Sequence, residues 1–472
     1  MSLAARLVVV GAGPAGLAAA LAAQEAGMAV TVVDQHPAPG GQIYRGLLRA
    51  SAKQRAALGP EYLRGDRLLA DFAACGATLI SDAQVWDIDA AGVAILREER
   101  CQVLPADQIV LATGAMERPS PLLGWTLPGV MNAGAAQILL KDPGMVPKGR
   151  VALVGNGPLL LLLARQLHAA GVKLVAFIDT STAGNFLRAL PHLPRALLAL
   201  PELAQGLSLL RELQRLPIPC WRADQAPRIE ACGSARRVSF LAAGKPRSVD
   251  ADLVLLHHGV IPNTQLTRLL RLEHEWNAGQ VAWRPRTGRW GATARADLRI
   301  AGDASGIAGA IAAQAAGRLA GLGAALAAGQ LSAAQADRHA RPWEAMLRRQ
   351  QALRPLLEAL YAPPHWLLHP ADEVTACRCE NVSAGQIRAL AGIGCRGPNQ
   401  AKFFSRCGMG PCQGRMCGDT ITQLLAEANG LTIEETGQTR IRPPLTPIDL
   451  AALATLATEH ASDQDSNGIE QQ

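Results

Sequence analysis

An apolar run, Leu7-Val8-Val9-Val10, passes straight into Gly11-Ala12-Gly13-Pro14-Ala15-Gly16 and then into an Ala/Leu-rich stretch reaching Gly27. The pattern predicts a buried strand, a tight turn and a helix, followed by a second strand, Ala29 to Val33, that ends in Asp34. Gly11 permits the turn, Gly13 lets the backbone reach a pyrophosphate, and Gly16 lets helix and strand touch. The helix start offers unpaired N–H groups and the positive end of its dipole. Asp34, 23 residues beyond Gly11, can accept hydrogen bonds from a ribose diol.

The same pattern returns about 144 residues later: Val151 to Val154, then Gly155-Asn156-Gly157-Pro158-Leu159-Leu160, a helix to Ala170, a strand Leu174 to Ile178, and Asp179. Such a duplication predicts two nucleotide-binding folds in one chain. The copies differ. Leu160 stands where the third glycine belongs, and no Arg follows Asp179 in Thr180-Ser181-Thr182 to meet a 2′-phosphate. The second copy therefore reads as a retained scaffold, with NAD(P) binding as the alternative.

Two further segments complete the first fold. Ile109-Val110-Leu111-Ala112-Thr113-Gly114 reads as a strand ending where the chain passes close to a cofactor. Leu298-Arg299-Ile300-Ala301-Gly302-Asp303 reads as a strand returning to the first domain, ahead of a small-residue helix from Ile307 to Ala327. Asp303 either binds flavin ribityl hydroxyls or caps that helix.

These elements predict an α/β chain of two Rossmann-like nucleotide-binding domains of the FAD/NAD(P) disulfide-reductase-like type, plus a small helical C-terminal module. The FAD-binding domain is discontinuous, over 1–118 and 291–330, around a second nucleotide domain at 119–290 that carries a Leu-rich insertion at 187–216. Pro191, Pro194 and Pro201 punctuate that insertion, which reads as two short amphipathic helices covering a core, with partner docking as the other reading. A helical linker spans 331–370, the cysteine module 371–435 and a tail 436–472, polar beyond Glu459.

Composition narrows the function. The 472 residues suit about three domains. With hydrophobic residues at 49% and charged residues at 18%, the chain can bury large cores. The net charge of +7 is scattered, no Lys/Arg run reaches five and aromatics are 4%, so no nucleic-acid partner is expected. Met1 leads directly into the first strand and no apolar stretch approaches a membrane span, so the expected location is the cytoplasm, with peripheral association at a membrane the alternative. In a reducing compartment the ten cysteines are not read as five disulfides.

Four of them are grouped: Cys377-Arg378-Cys379, an interval of 32 residues, then Cys412-Gln413-Gly414-Arg415-Met416-Cys417. Zinc knuckles use gaps of two to four residues, which the one-residue gap does not match. A 2Fe-2S cluster suits two close pairs better. Gly408, Gly410, Gly414 and Gly418 would let backbone N–H groups reach the sulfurs, and Arg378, Arg406 and Arg415 would offset negative charge. The other cysteines, Cys75, Cys101, Cys220, Cys232, Cys395 and Cys407, read as buried free thiols, with Cys407 a substitute ligand candidate. No C-x-x-C occurs, so a disulfide-reductase route lacks its dithiol. His257 and His258, adjacent on a strand, face opposite sides and read as structural.

The chain resembles the large nucleotide-binding component of multi-subunit flavin dehydrogenases, the family found in opine oxidase, hydrogen cyanide synthase and D-hydroxyproline dehydrogenase. The resemblance rests on Gly11 to Gly16, Gly40-Gly41-Gln42-Ile43-Tyr44-Arg45, Ala112-Thr113-Gly114-Ala115-Met116-Glu117-Arg118-Pro119 and Gly124-Trp125-Thr126-Leu127-Pro128-Gly129-Val130. Cys377-Arg378-Cys379-Glu380 and Gly408-Met409-Gly410-Pro411-Cys412-Gln413-Gly414-Arg415 resemble the bacterioferritin-associated-ferredoxin type of 2Fe-2S domain. The resemblance implies FAD held by Gly11, Gly13, Gly16, Asp34, Gly41, Gln42, Thr113, Gly114, Gly302 and Asp303. It implies a cluster held by Cys377, Cys379, Cys412 and Cys417. It further implies an oxidoreductase component that relays electrons from an amino-acid-oxidase-like flavoprotein partner oxidising an amine, opine or imino acid, and a small ferredoxin-like protein is a further implied partner. The competing readings are a self-contained NAD(P)H-dependent reductase and a zinc-bearing scaffold. No residue stands out as a catalytic base.

Overall fold

The computed structural model describes residues 4–456. The expected polar end from Glu459 lies outside them. The first unit forms as its pattern predicts: strand Arg6–Val10, helix Pro14–Glu25 and strand Ala29–Val33. These strands enter an all-parallel sheet ordered Leu298–Ile300, Gln108–Leu111, Arg6–Val10, Ala29–Val33, Thr78–Ile80. Leu298 to Ile300 thus pair with Ile109 to Leu111, and the first fold is closed by a strand from late in the chain.

The second unit repeats this with Arg150–Asn156, Pro158–Ala169 and Lys173–Asp179, in a parallel sheet ordered Cys220–Arg222, Lys173–Asp179, Arg150–Asn156, Leu253–His258, Val130–Asn132. Each sheet carries an antiparallel three-stranded ribbon: Gln84–Ile88, Val93–Arg97 and Arg100–Leu104 in the first fold; Arg228–Cys232, Ala235–Ala242 and Lys245–Ala251 in the second. One buried core joins Leu7, Val9 and Leu17 of the first fold to Leu153, Leu160 and Leu163 of the second.

Helix Ala310–Ala327 lies against helix Pro14–Glu25 through small residues. A Cβ on Gly317 would stand 2.0 Å from the Ala15 carbonyl oxygen, and one on Gly321 2.3 Å from that of Ala19. This is the only helix among the described residues long and apolar enough to cross a membrane, and it is packed inside the fold.

Ser332 opens the 28-residue helix Ala333–Leu360 with a capping box to Gln335. The insertion ahead of it forms helices Ala183–Ala189, Leu193–Ala196 and Leu200–Arg215, linked by short 3-10 turns. Part of the insertion covers a core as expected: Leu209 is buried in the main core with Leu213 and Leu216 against it, and Leu203 packs on the long helix. Ala189, Ala196 and Ala199 face Leu353 and Leu356 of the long helix, and most of the leucines point outward.

The cysteine module has its own small core, with helices Ala384–Ala389, Pro398–Ser405 and Gly418–Asn429. Residues beyond 436, read from the sequence as a tail, run back to the first fold. Ile441 and Leu445 are buried with Val85, Ile88, Val93 and Ile95, and the Leu445 N–H donates to the Trp86 carbonyl at 2.9 Å. Two apolar side chains in a Pro- and Thr-rich stretch give too sparse a pattern for that packing to be read locally.

Candidate functional site

At the first nucleotide turn, backbone approaches backbone wherever a glycine stands. A Cβ on Gly16 would lie 1.8 Å from the Gly11 carbonyl oxygen, and one on Gly11, at φ +106°, 2.5 Å from that of Ala112. Gly41, at φ +57°, would bring a Cβ to 2.7 Å from the Gly13 Cα, so the Gly40-Gly41 loop is seated on the turn. Gly114 and Gly309, both at positive φ, have no atom within 4 Å of the position a Cβ would take. Bare glycine backbone at a helix N-terminus suits an extended dinucleotide.

The polar residues expected there are placed as follows. Asp34, buried, accepts from Ala12 N–H at 2.5 Å and His36 N–H at 2.8 Å, which fixes its carboxylate at the turn. Thr113 Oγ1 donates to the Asn263 carbonyl at 3.1 Å, and Gly302 packs against Ala15. Asp303 Oδ1 accepts from Ala308 N–H at 2.8 Å and Gly309 N–H at 3.1 Å. It therefore ties the loop ahead of the helix and leaves the first-turn N–H groups without a side-chain cap.

Gln42 leads to a group the sequence did not flag. Lys141, 5% exposed, donates from Nζ to the Gln42 carbonyl at 2.9 Å and to Gln137 Oε1 at 3.2 Å. Burial, reinforced by Arg45, lowers its ammonium to about 7. Its unfolded value is near 10.5, so between these limits the unfolded chain binds the proton and the folded chain does not. Stability from this group accordingly rises with pH from about 7 to 10.5, with a slope of up to about 1.4 kcal/mol per pH unit. Lys141→Met is expected to flatten that rise, as urea denaturation between pH 7 and 10 would measure.

The second turn is built differently. Leu160 is fully buried where the first copy has no room for any Cβ, and a Cβ on Gly155 would lie 1.8 Å from the His257 carbonyl oxygen. Asp179 accepts from Ser181 N–H at 2.9 Å and faces Arg222 at 3.6 Å, a cation brought in by the register of the neighbouring strand rather than by nearby sequence. His257 and His258 do face different partners: His257 Nδ1 meets Glu117 Oε1 at 2.5 Å, and His258 Nδ1 meets Ser120 Oγ at 2.7 Å. Burial, with His257 and Arg118 nearby, lowers His258 to about 3, so it is neutral.

The fold brings the four paired cysteines together. The Cys377 and Cys412 thiols each hydrogen-bond Cys417, and Cys412 also bonds Cys379. Bonds from Cys417, with backbone bonds at Gly408 and Glu380, draw Cys377 down to about 6; Cys417 and the Met416 backbone draw Cys412 to about 5. Gly410 has no space for a side chain, because its Cβ would lie 2.2 Å from the Cys379 Cβ. Cys377 and Cys417 are buried and Cys379 is exposed. Cys407 stays outside this chain of thiols and bonds Ser405, and burial raises it to about 11. Contrary to expectation, Cys220 is exposed, on an edge strand. Among the described residues no three His, Cys, Asp or Glu side chains are grouped to hold one metal ion.

The three arginines are engaged separately. Arg378 stacks on Trp125 at 5.1 Å, Arg406 Nε donates to Glu380 at 3.0 Å, and Arg415 Nε to the Cys412 carbonyl at 3.2 Å. Trp125 Nε1 also donates to the Thr375 carbonyl at 2.7 Å. The buried Arg268 reaches Asp419 at 3.4 Å from the helix Gln265–Leu269, just beyond the Asn263 that holds Thr113. The cysteine module is thereby tied close to the loop that holds Thr113.

Residues 5–317 match the family model of pyridine nucleotide-disulphide oxidoreductases, and residues 378–457 match the sarcosine oxidase A3 domain, which extends across the packed segment beyond 436. The chain is 42% identical to the opine oxidase A-type component of Rhizobium meliloti (strain 1021), over 95% of this chain and 98% of that protein. It is 34% identical to the hydrogen cyanide synthase component HcnB of Pseudomonas aeruginosa, over 96% and 99%. Both relatives are named as subunits of their enzymes. Among solved structures, the fold is shared with L-proline dehydrogenase from P. horikoshii, at TM-score 0.68 and 18% identity over 96% of this chain and 81% of that one.

Proposed function

Because the chain belongs to the pyridine nucleotide-disulphide oxidoreductase family, and with its opine oxidase relative to the flavin oxidoreductases, we propose that it is the electron-carrying component of a larger enzyme. The complex would be a dehydrogenase whose partner flavoprotein oxidises an amine, opine or imino acid. The observation that supports this reading most is the gathering of four cysteine thiols in a module tied by Arg268 and Asp419 close to the loop that holds Thr113. The relatives bear subunit names, which supports a catalytic partner chain.

In this reading Gly11, Gly13, Gly16 and Gly41 hold backbone against the FAD pyrophosphate. Asp34 is positioned toward the ribose, Gln42, Thr113 and Gly114 border the ring, and Gly302 and Asp303 flank the ribityl chain. Cys377, Cys379, Cys412 and Cys417 would ligate a 2Fe-2S cluster, two cysteines to each iron, an arrangement that does not require three ligands around one ion. Bound FAD exchanges electrons in pairs or singly, whereas such a cluster passes one at a time. The chain's part is to exclude water, to donate backbone N–H groups to sulfur and to keep the two sites adjacent.

NADH is not expected to reduce the isolated chain, since Leu160 fills the second turn and Asp179 is paired with Arg222. Stopped-flow mixing with NADH tests this: rapid flavin bleaching without a partner would favour the self-contained reductase. Purification from an expressing cell should bring down an amino-acid-oxidase-like chain, and zinc without inorganic sulfide would favour the scaffold.

A further inference from the structure

Two buried arginines converge on one carboxylate beside the cysteines. Arg118 follows the strand Ala115–Glu117, which continues from the Thr113-Gly114 loop. Arg268 lies on the helix Gln265–Leu269, just after Asn263, whose N–H donates to the Gly114 carbonyl at 2.9 Å. Arg118 donates from Nη1 to the Val281 carbonyl at 3.0 Å and from Nη2 to the Gln280 carbonyl at 2.6 Å, and among the described residues it pairs with no acid. Arg268 pairs with Asp419 alone, and the Nε of each arginine is buried without a partner. Asp419 stands in the first turn of the helix Gly418–Asn429, which starts directly after Cys417. Arg118, Arg415, Met416 and Asp419 line one small cavity there, and a Cβ on Gly418 would stand 3.8 Å from Arg268 Nη1.

Two guanidiniums against one carboxylate leave net positive charge buried at this helix start, where the helix dipole adds charge of the same sign. Burial lowers Arg118 to about 10, which leaves it cationic at neutral pH. Arg415, its Nε held by the Cys412 carbonyl, adds a third cation on the same cavity wall. A buried cation without a full counter-charge is costly, so its place calls for an anionic neighbour. Asp419 is the only acid among the described residues that acts on either buried arginine, and the nearby His258 is neutral. The anionic group that fits is the four-cysteine set, of which Cys412 and Cys417 bracket the cavity residues Arg415 and Met416.

Resting on the two-iron reading above, we propose that Arg118 and Arg268 are positioning residues that hold buried positive charge against the four-cysteine site, partly offset by Asp419, and so set how readily that site accepts an electron. Net charge around such a cluster moves its potential, and burial strengthens the effect. A redox titration of the purified full chain, followed by electron paramagnetic resonance of the reduced cluster, tests it. Arg118→Met should make reduction about tenfold less favourable, ~59 mV lower for one electron. Arg118→Lys, which keeps the charge, should stay close to wild type. Asp419→Asn should shift the potential upward, because it removes negative charge from the same place. Arg268→Gln, which leaves Asp419 uncompensated, should lower it, and carries the test if Arg118→Met does not retain iron. A merely structural role would not give shifts of opposite sign. Potentials that stay unchanged, or that fall in Asp419→Asn as well, overturn the proposal while iron and sulfide are present. A wild-type chain without iron and sulfide would instead overturn the two-iron reading, and the proposal with it.

Discussion

Gly317→Val should abolish the folded first domain, with a loss of about 3 kcal/mol or more. Its Cβ would sit 2.0 Å from the Ala15 carbonyl oxygen, which belongs to the helix that opens the nucleotide turn. Neither helix can give way cheaply, because Gly321 makes the same approach to Ala19 one turn on, and Gly302 packs against Ala15 from the loop. Separating the helices would move the Gly11 to Gly16 backbone of the nucleotide turn, so flavin should be lost along with stability. Thermal unfolding followed by circular dichroism reads the first effect and flavin absorbance the second. Gly206→Ala is the control: it lies on the exposed helix Leu200–Arg215 with nothing within 4 Å, and should be neutral or stabilising by up to about 1 kcal/mol. A wild-type melt for Gly317→Val would mean that the close helix contact does not hold the domain.

The second large effect is expected from Cys412→Ser, which should remove iron and its visible absorbance while FAD stays bound. Cys412 bonds both Cys379 and Cys417, so, with the Cys377–Cys417 contact, it joins the two halves of the constellation. The module has a core of its own, with Val382, Ile387, Cys395, Leu424 and Leu425, and only Val374 and Met416 of the module join the core of the second fold. Cys407→Ala should retain iron, since that thiol bonds Ser405 and not the other four. Iron and flavin analyses on both variants check the pair of expectations, and coordinate loss of flavin in Cys412→Ser would show that the modules depend on each other.

The features legible in the sequence are those whose chemistry is local. A glycine turn requires its glycines within six residues, a parallel strand buried on both faces reads as an apolar run, and close cysteine pairs announce themselves. Strand Ala29–Val33 and helix Ala333–Leu360 fell where their patterns place them, the latter despite Pro342 and Pro355 inside it. What the sequence did not show depends on distant partners. Arg222 reaches Asp179 through strand register, Glu117 reaches His257 across 140 residues, and Lys141 is a polar residue buried by its neighbours rather than by its own segment. The Leu-rich insertion was legible only in part for a related reason: Leu203, Leu209, Leu213 and Leu216 pack inward as its periodicity implies, but in its first half alanines take the inner side and the leucines face out.

The central claim is that one chain carries both a flavin and a two-iron cluster and serves as a conduit for electrons. Anaerobic purification with thiols intact, followed by measurement of flavin, iron, zinc and inorganic sulfide in the same sample, tests it most directly. The expected result is a coloured protein holding FAD together with iron and sulfide in equal amounts and no zinc. A colourless chain without sulfide, or one whose four cysteines hold zinc, would contradict it.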